Sequence, residues 1–390
     1  MSERANGAEI VIVGGGIYGA CLAYDLATAG RDVVLLDAQE IAAGASGGPG
    51  ERGVRAANRD LRELPIVALA QQRWAKLQAG IPGGVGYRRI GGLQVYDIPY
   101  GQRRGEIEGE MAARAATQEV LGIPTQLLGR DEVLAMEPEL SSTIQGAIFC
   151  PNDGVGDHGF ATRQLAAEAE KAGAVVRTRE NAAAIVCKDG RALAVTLASG
   201  ESIDVGRHLV LLANTGVPDL LRPHLQPHEV LPVWTIIPQM LFVTNPENRR
   251  INHLLGHRSR RLAVKQLADG TIMISGGQSV EPGGEAARLR GTLSATALNV
   301  SDAIATFPFL DRSEYVKVDG SRADSCAIDN IPIIGKIEAA ENLIFGFGWS
   351  GHGFAISPGF VAYLADWIIR GEEPPELAPF SPRRFRSTRP

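Results

Sequence analysis

The sequence predicts an α/β protein in which a Rossmann-like nucleotide-binding domain is interleaved with an α+β domain built on an antiparallel sheet. Two observations predict it. The opening residues read as strand, glycine turn, helix and strand, and the later segments switch between that texture and one of short strands with polar-faced helices.

The run Ile10-Val11-Ile12-Val13 is β-branched and stops at Gly14-Gly15-Gly16. Ile17 to Ala29 then shows helical periodicity and ends at Gly30, and Asp32 to Asp37 is an apolar run fit for burial on both faces of a parallel sheet. From Gly44 to Gly53 the composition is that of a loop, followed by a helix from Leu64 to Leu77. Beyond Gly80 the chain leaves the first domain, with a strand around Gly91 to Tyr96, a polar-faced helix from Glu106 to Leu121 and a short helix from Asp131 to Met136. The helix Phe160 to Ala172 and the strand His208 to Ala213 return to it. Strand-like segments Val230 to Thr244 and Leu262 to Ser275, with the helix Thr292 to Phe307, make a second visit to the other domain. Ile331 to Phe347 and a helix Gly359 to Arg370 complete the first. The expected division is 1–84, 157–225 and 318–390 for the nucleotide domain, and 85–156 and 226–317 for the substrate domain.

Composition narrows the function. A chain of 390 residues with a net charge of -5 has no global attraction to polyanions, so no nucleic-acid partner is expected. The clusters Arg258, Arg260, Arg261 and Arg383 to Arg389 read as solvated surface. Cys21, Cys150, Cys187 and Cys326 lack ligand or disulfide spacing, so neither a metal site nor a disulfide framework is expected and a reducing cytoplasm fits. The apolar runs are too short for a transmembrane segment.

The pattern Gly14-x-Gly16-x-x-Gly19 follows a strand and opens a helix, with Asp37 at the end of the next strand. Gly14 permits the tight turn, Gly16 lets backbone approach a pyrophosphate, and Gly19 lets helix pack on strand. The helix N-terminus favours negative charge, and Asp37 is placed to accept hydrogen bonds from ribose hydroxyls. An acid at this position speaks against a ribose phosphate.

With Ile10 to Gly19, Asp37 and Ala42-Ala-Gly-Ala-Ser46 at one end, and Asp329 to Gly335 and Gly346-Phe-Gly-Trp-Ser-Gly-His-Gly-Phe354 at the other, the chain resembles the D-amino-acid oxidase superfamily of flavoproteins. Within it, the resemblance is to the sarcosine oxidase and glycine oxidase branch. It implies FAD as cofactor, with Gly14, Gly16, Gly19, Asp37, Ser46 and Ala182 on its nucleotide side. Gly348, Gly351, His352, Gly353 and Phe354 are implied along the isoalloxazine ring. Glycines there free backbone N–H groups to approach a flat ring, and a helix beginning near Ser357 and Gly359 adds a favourable dipole. Three departures stand out. Ala213-Asn-Thr-Gly216 replaces a small-residue stretch ending in Trp, Arg322 aligns with the covalent flavin cysteine, and Ala355 replaces a carboxylate-binding lysine. Cys326 is near but out of register, so the FAD is expected to be noncovalent.

For the substrate, Gly50-Glu-Arg-Gly-Val-Arg55, followed by Arg62-Glu63 and Pro65, resembles the segment whose first arginine, here Arg52, pairs with a carboxylate. A planar guanidinium suits that task. The alternative for Arg52 and Arg55 is a surface or FAD-phosphate charge. Arg322, in Gly320-Ser-Arg, is a second candidate anchor. His352 is a candidate hydrogen-bonding partner of flavin or substrate, or else a satisfied loop residue. Lys265 is either a cation that favours electron transfer to dioxygen or an exposed hairpin lysine. Trp234 and Met240 are candidate pocket residues, with simple packing as the alternative.

The expected reaction is oxidation of the carbon–nitrogen bond of a small amino acid or N-alkyl amino acid by hydride transfer to flavin, giving an imine that hydrolyses. Dioxygen or another electron acceptor would reoxidise the flavin. Two other readings stay open: a FAD-dependent 2-hydroxy acid dehydrogenase, and a FAD-binding subunit that acts with partner subunits in an amine or opine oxidase.

Overall fold

A computed structural model of the chain describes residues 6–46, 50–277, 279–280 and 292–386. Two eight-stranded sheets organise it. In the first, Gly7–Val13 runs parallel to Val33–Leu36 on one side and to Ser202–Leu211 on the other. Val175–Arg177 and Ala340–Phe347 extend this parallel core at its two edges. The ten-residue strand Ser202–Leu211 also splits its far edge, pairing its first residues with Arg191–Leu197 and its last with Ala340–Phe347.

Both faces of this sheet are covered, as its unbroken apolar strands require. Ile10, Ile12, Val33 and Leu35 face a core closed by the helices Ile17–Thr28, Leu64–Gly80, His158–Lys171 and Gly353–Arg370. Val11, Val13, Val34 and Leu36, one residue out of phase, face a second core.

The second sheet draws its strands from Gly92–Tyr96, Gln126–Gly129, Gly146–Cys150, Met240–Val243, Leu254–His257, Ala263–Gln266, Ile272–Ser275 and Tyr315–Asp319. Every pairing in it is antiparallel except Gly92–Tyr96 with Leu254–His257. One face carries Leu241, Leu255, Val264 and Ile274 into a third core, while the alternate residues face the other way. A small sheet joins the halves, with Gly154–Asp157 held between Glu51–Val54 and Tyr87–Arg89.

The structure departs from the sequence expectation in four places. Glu51–Val54, expected as loop, is a strand because Gly154–Asp157 supplies its partner; residues 47–49 of that loop lie outside the described residues. Val230 to Thr244, expected as one strand-like segment, holds two strands, Val233–Pro238 and Met240–Val243, that break at Gln239 and enter different sheets. The boundary placed at 317/318 falls inside Tyr315–Asp319, which pairs with Met240–Val243. The last helix starts at Gly353, six residues before Gly359, although Pro358 lies within it. Proline cannot donate to the Phe354 carbonyl, and the Ser357 hydroxyl donates to that oxygen instead at 2.9 Å.

The arginine clusters are also more tied down than a solvated surface. Arg258 pairs with Glu110, Arg260 with Asp97, Arg384 with Asp329, and Arg386 with Glu229 and Glu338. The end of the basic tail, residues 387–390, lies outside the described residues. Among the described residues no helix is long and apolar enough to cross a membrane.

Candidate active site

A cavity of about 1420 Å³ lies between the two large sheets and reaches from Gly14 to Lys265. At one end stand Gly14, Gly16, Asp37 and Ala182, while Ser46 lines the cavity next to Arg52, which donates to its carbonyl. The Asp37 carboxylate accepts from the Gly15 N–H at 2.6 Å and the Gln39 N–H at 2.7 Å, which fixes its orientation. Burial raises its pKa despite those bonds. A Cβ at Gly16 would meet nothing within 4 Å, so backbone and the helix N-terminus behind it open onto the cavity. Gly19 does not line it. A Cβ there would strike the Gly14 carbonyl, and close packing of helix against turn is its task.

The middle of the cavity is formed by the C-terminal glycine segment. Gly351, His352, Gly353 and Phe354 line it, whereas Gly348 does not. Gly348 has φ +78 and donates its N–H to Ser325 Oγ at 2.8 Å. The Gly351 N–H donates to the buried Asp324 carboxylate at 2.7 Å. Two of the N–H groups expected to face a ring are thus engaged in holding the loop. The remaining source is the first turn of Gly353–Arg370, which starts at the cavity wall without a side-chain cap.

His352 lines the cavity, yet acceptors already face both its ring nitrogens: Ser350 O lies 3.0 Å from Nδ1 and Glu63 Oε1 3.0 Å from Nε2. Glu63 is buried, which disfavours its charge. The hydrogen bond and charge of His352, with the Arg59 guanidinium, outweigh that and hold the carboxyl below its ordinary range. Arg59 in turn donates to the His352 carbonyl at 3.1 Å. The sequence marks Glu63 only as part of the segment after Arg52, and Arg59 not at all. Charged residues in the turn leading into an apolar helix are a pattern that solvent-facing residues share.

The far end is cationic. Arg52, Arg55, Arg59, Arg261 and Lys265 line it. Arg52 donates to the Glu51 carbonyl at 2.9 Å and the Ser46 carbonyl at 3.3 Å, and burial lowers its pKa to about 10. Lys265 is not an exposed hairpin residue, being only 4% exposed. It lies on the cavity face of Ala263–Gln266 because its neighbour Val264 takes the core face. Burial, reinforced by the charges of Arg52 and Arg55, lowers the Lys265 ammonium to about 7. Trp234 and Met240 also line this end.

Arg322 lies outside the cavity lining. Its guanidinium donates to the Ala43 carbonyl at 2.7 Å instead. Ala213 to Gly216, the departure from the family pattern, does line the cavity, with Asn214 Oδ1 accepting from the Ser325 N–H at 3.1 Å.

A model of the FAD dependent oxidoreductase family matches residues 9–367. The chain belongs to that family. FAD is its cofactor, and the cavity fits the group: uncapped helix N-termini after Gly16 and at Gly353 open onto it, and the free face at Gly16 leaves room for a diphosphate. The oxidoreductase is 24% identical to human mitochondrial dimethylglycine dehydrogenase over 97% of this chain and 44% of that protein. It thus spans about half the length of the curated relatives it matches. L-proline dehydrogenase from P. horikoshii has the same fold, with TM-score 0.84, 22% identity and 98% of each chain covered. Glycine oxidase from Geobacillus kaustophilus gives a TM-score of 0.80 at 20% identity, covering 97% of this chain and 99% of that one.

Proposed function

We propose that this FAD-dependent oxidoreductase oxidises the carbon–nitrogen bond of a small amino acid or N-alkyl amino acid. The observation that carries the reading is the meeting of Arg52 and Lys265 with the two glycine segments in one cavity. A half-buried guanidinium at the cavity wall is suited to fix a substrate carboxylate, and so to orient the adjacent carbon. The substrates named for dimethylglycine dehydrogenase and glycine oxidase support the same class.

Bound FAD supplies the acceptor for the two electrons removed from the substrate, whose imine product water then hydrolyses. The protein's own residues bind and orient. Arg52 holds the carboxylate, Arg59 and Glu63 fix the His352 loop, and the Lys265 ammonium offers positive charge where negative charge develops on an acceptor such as dioxygen. We assign the FAD as noncovalent. Cys326 lines the cavity, but burial raises its thiol pKa, and a protonated thiol is a poor nucleophile.

Anaerobic mixing of the FAD-loaded protein with N-methyl, cyclic and D- and L-amino acids tests the reading. Bleaching of the flavin band by at least one amine, lost in Arg52→Ala but retained in Arg322→Ala, is expected. Bleaching by 2-hydroxy acids alone would transfer the protein to the hydroxy-acid class, and turnover only after adding a partner subunit would make it part of a complex.

A further inference from the structure

The cationic end of the cavity holds more charge than one carboxylate needs. Among the described residues the acids that line the cavity are Asp37, Glu180, Asp219 and Asp324. Asp37 and Glu180 flank the nucleotide end beside Ala182, Asp219 belongs to the helix that follows Gly216, and Asp324 is engaged by the Gly351 N–H. Glu51, whose charge favours the Lys265 ammonium, pairs with Arg88 at 2.7 Å. Among the described residues neither Arg55 nor Lys265 has an ion-pair partner, and Lys265 makes no side-chain hydrogen bond.

Arg55 occupies a space cleared for it. Its Nη1 is buried and has no hydrogen-bond partner. The same atom would lie 2.8 Å from a Cβ at Gly256, a residue of the strand Leu254–His257 whose φ is not positive. Gly256 therefore serves as room for the guanidinium rather than as a turn. Asp153 is the carboxyl whose charge favours Arg55, but burial raises it to about 7, and its Oδ2 is itself buried without a partner. A buried guanidinium N–H left unmatched is destabilising, and no described residue supplies its acceptor; the cavity that Arg55 lines is the side from which an acceptor outside the chain would reach the guanidinium.

We propose that the substrate carries two acidic groups, one carboxylate held by Arg52 and a second held by Arg55 with Lys265 beside it. An amino acid with a side-chain carboxylate and one with an N-carboxyalkyl group both have this chemistry. The inference rests on the amine-oxidation reading for its nitrogen, but the anion preference itself is measurable without turnover.

Titration calorimetry of the FAD-loaded protein with succinate and butyrate, two inert four-carbon acids, tests it at pH 7.5. One charge-assisted contact predicts that succinate binds about 10- to 100-fold more tightly. Arg55→Gln is expected to bring the ratio below about fivefold, and Arg55→Lys to restore most of it. Equal binding of the two acids by the unaltered protein overturns the proposal, whatever the variants do. So does an Arg55→Gln protein that loses FAD while keeping the ratio, which would make Arg55 a cofactor contact. Anaerobic bleaching with aspartate, iminodiacetate and N-methylglycine separates the two levels. A succinate preference without bleaching by any amine leaves the two-anion site standing and removes amine oxidation. Equal binding of the two acids, with bleaching by an amine, does the reverse.

Discussion

Tyr18 stacks on Trp349 with ring centroids 3.7 Å apart and planes 13° from parallel, and its hydroxyl donates to the Gly353 carbonyl at 2.8 Å across 335 residues of sequence. Tyr18 belongs to the first glycine motif and Trp349 to the last. The pair fixes the helix that follows Gly16 against the start of the helix at Gly353, so the two uncapped N-termini hold their places in one cavity.

Tyr18→Phe keeps the stack and removes one buried hydrogen bond, an expected loss of about 1 kcal/mol in urea unfolding. Tyr18→Ala removes both and is expected to cost about 3–5 kcal/mol. Because the contact spans both motifs, FAD retention through desalting should fall with Tyr18→Ala far more than with Tyr18→Phe. Equal retention in the two variants would show that the stack does not align the cofactor cradle.

The glycines of the first motif divide their labour, and alanine at each separates the parts. Gly19→Ala forces a methyl into the Gly14 carbonyl and is expected to destabilise the protein without cofactor by about 1–3 kcal/mol. Gly16 has φ -72, which alanine accepts, and open space around its Cβ position. Gly16→Ala should leave cofactor-free stability within about 0.5 kcal/mol while weakening FAD binding about tenfold or more, as read by fluorescence titration.

The nucleotide half was legible because its signals are local: an apolar run, glycines at fixed spacing, and an acid after the next run. Asp37 and Gly16 stand where that spacing put them. The cationic end was legible only in part: Arg52 and Lys265 were marked as candidates, but burial of Lys265 depends on an eight-stranded sheet assembled from segments scattered between Gly92 and Asp319. Its own strand, Ala263–Gln266, is four residues long, too short for alternation alone to say which face is covered. The start of the last helix was hidden by Pro358, whose cost is offset by the Ser357 hydroxyl. Gly348 and Gly351 share the glycine-rich signal, but their N–H groups point to Ser325 and Asp324, side chains that sequence spacing cannot bring together.

Noncovalent attachment has a direct readout. Acid precipitation of the FAD-loaded protein should leave the yellow colour in the supernatant. Colour retained in the pellet, and lost in Cys326→Ser, would instead identify Cys326 as a covalent ligand despite its raised thiol pKa.

The role proposed for Lys265 sets stability against function, and pH exposes the conflict. Its ammonium titrates near 7 in the fold, mainly because of burial and then the Arg52 charge, against 10.5 for the ordinary side chain. Between those values the unfolded chain binds the extra proton, so the contribution of Lys265 to stability rises with pH from about 7 towards 10.5. Below about 7 both states are protonated and the full penalty of the buried charge applies. Lys265→Met should therefore stabilise the cofactor-free protein, by about 2–4 kcal/mol at about pH 6 and by less at about pH 9. Thermal unfolding at the two pH values checks the sign. The same variant should slow flavin reoxidation by dioxygen at the lower pH, where the lost charge was present, while Lys265→Arg retains it. A stability gain that grows with pH would mean that the ammonium is matched inside the fold and is not a charge held ready for a ligand.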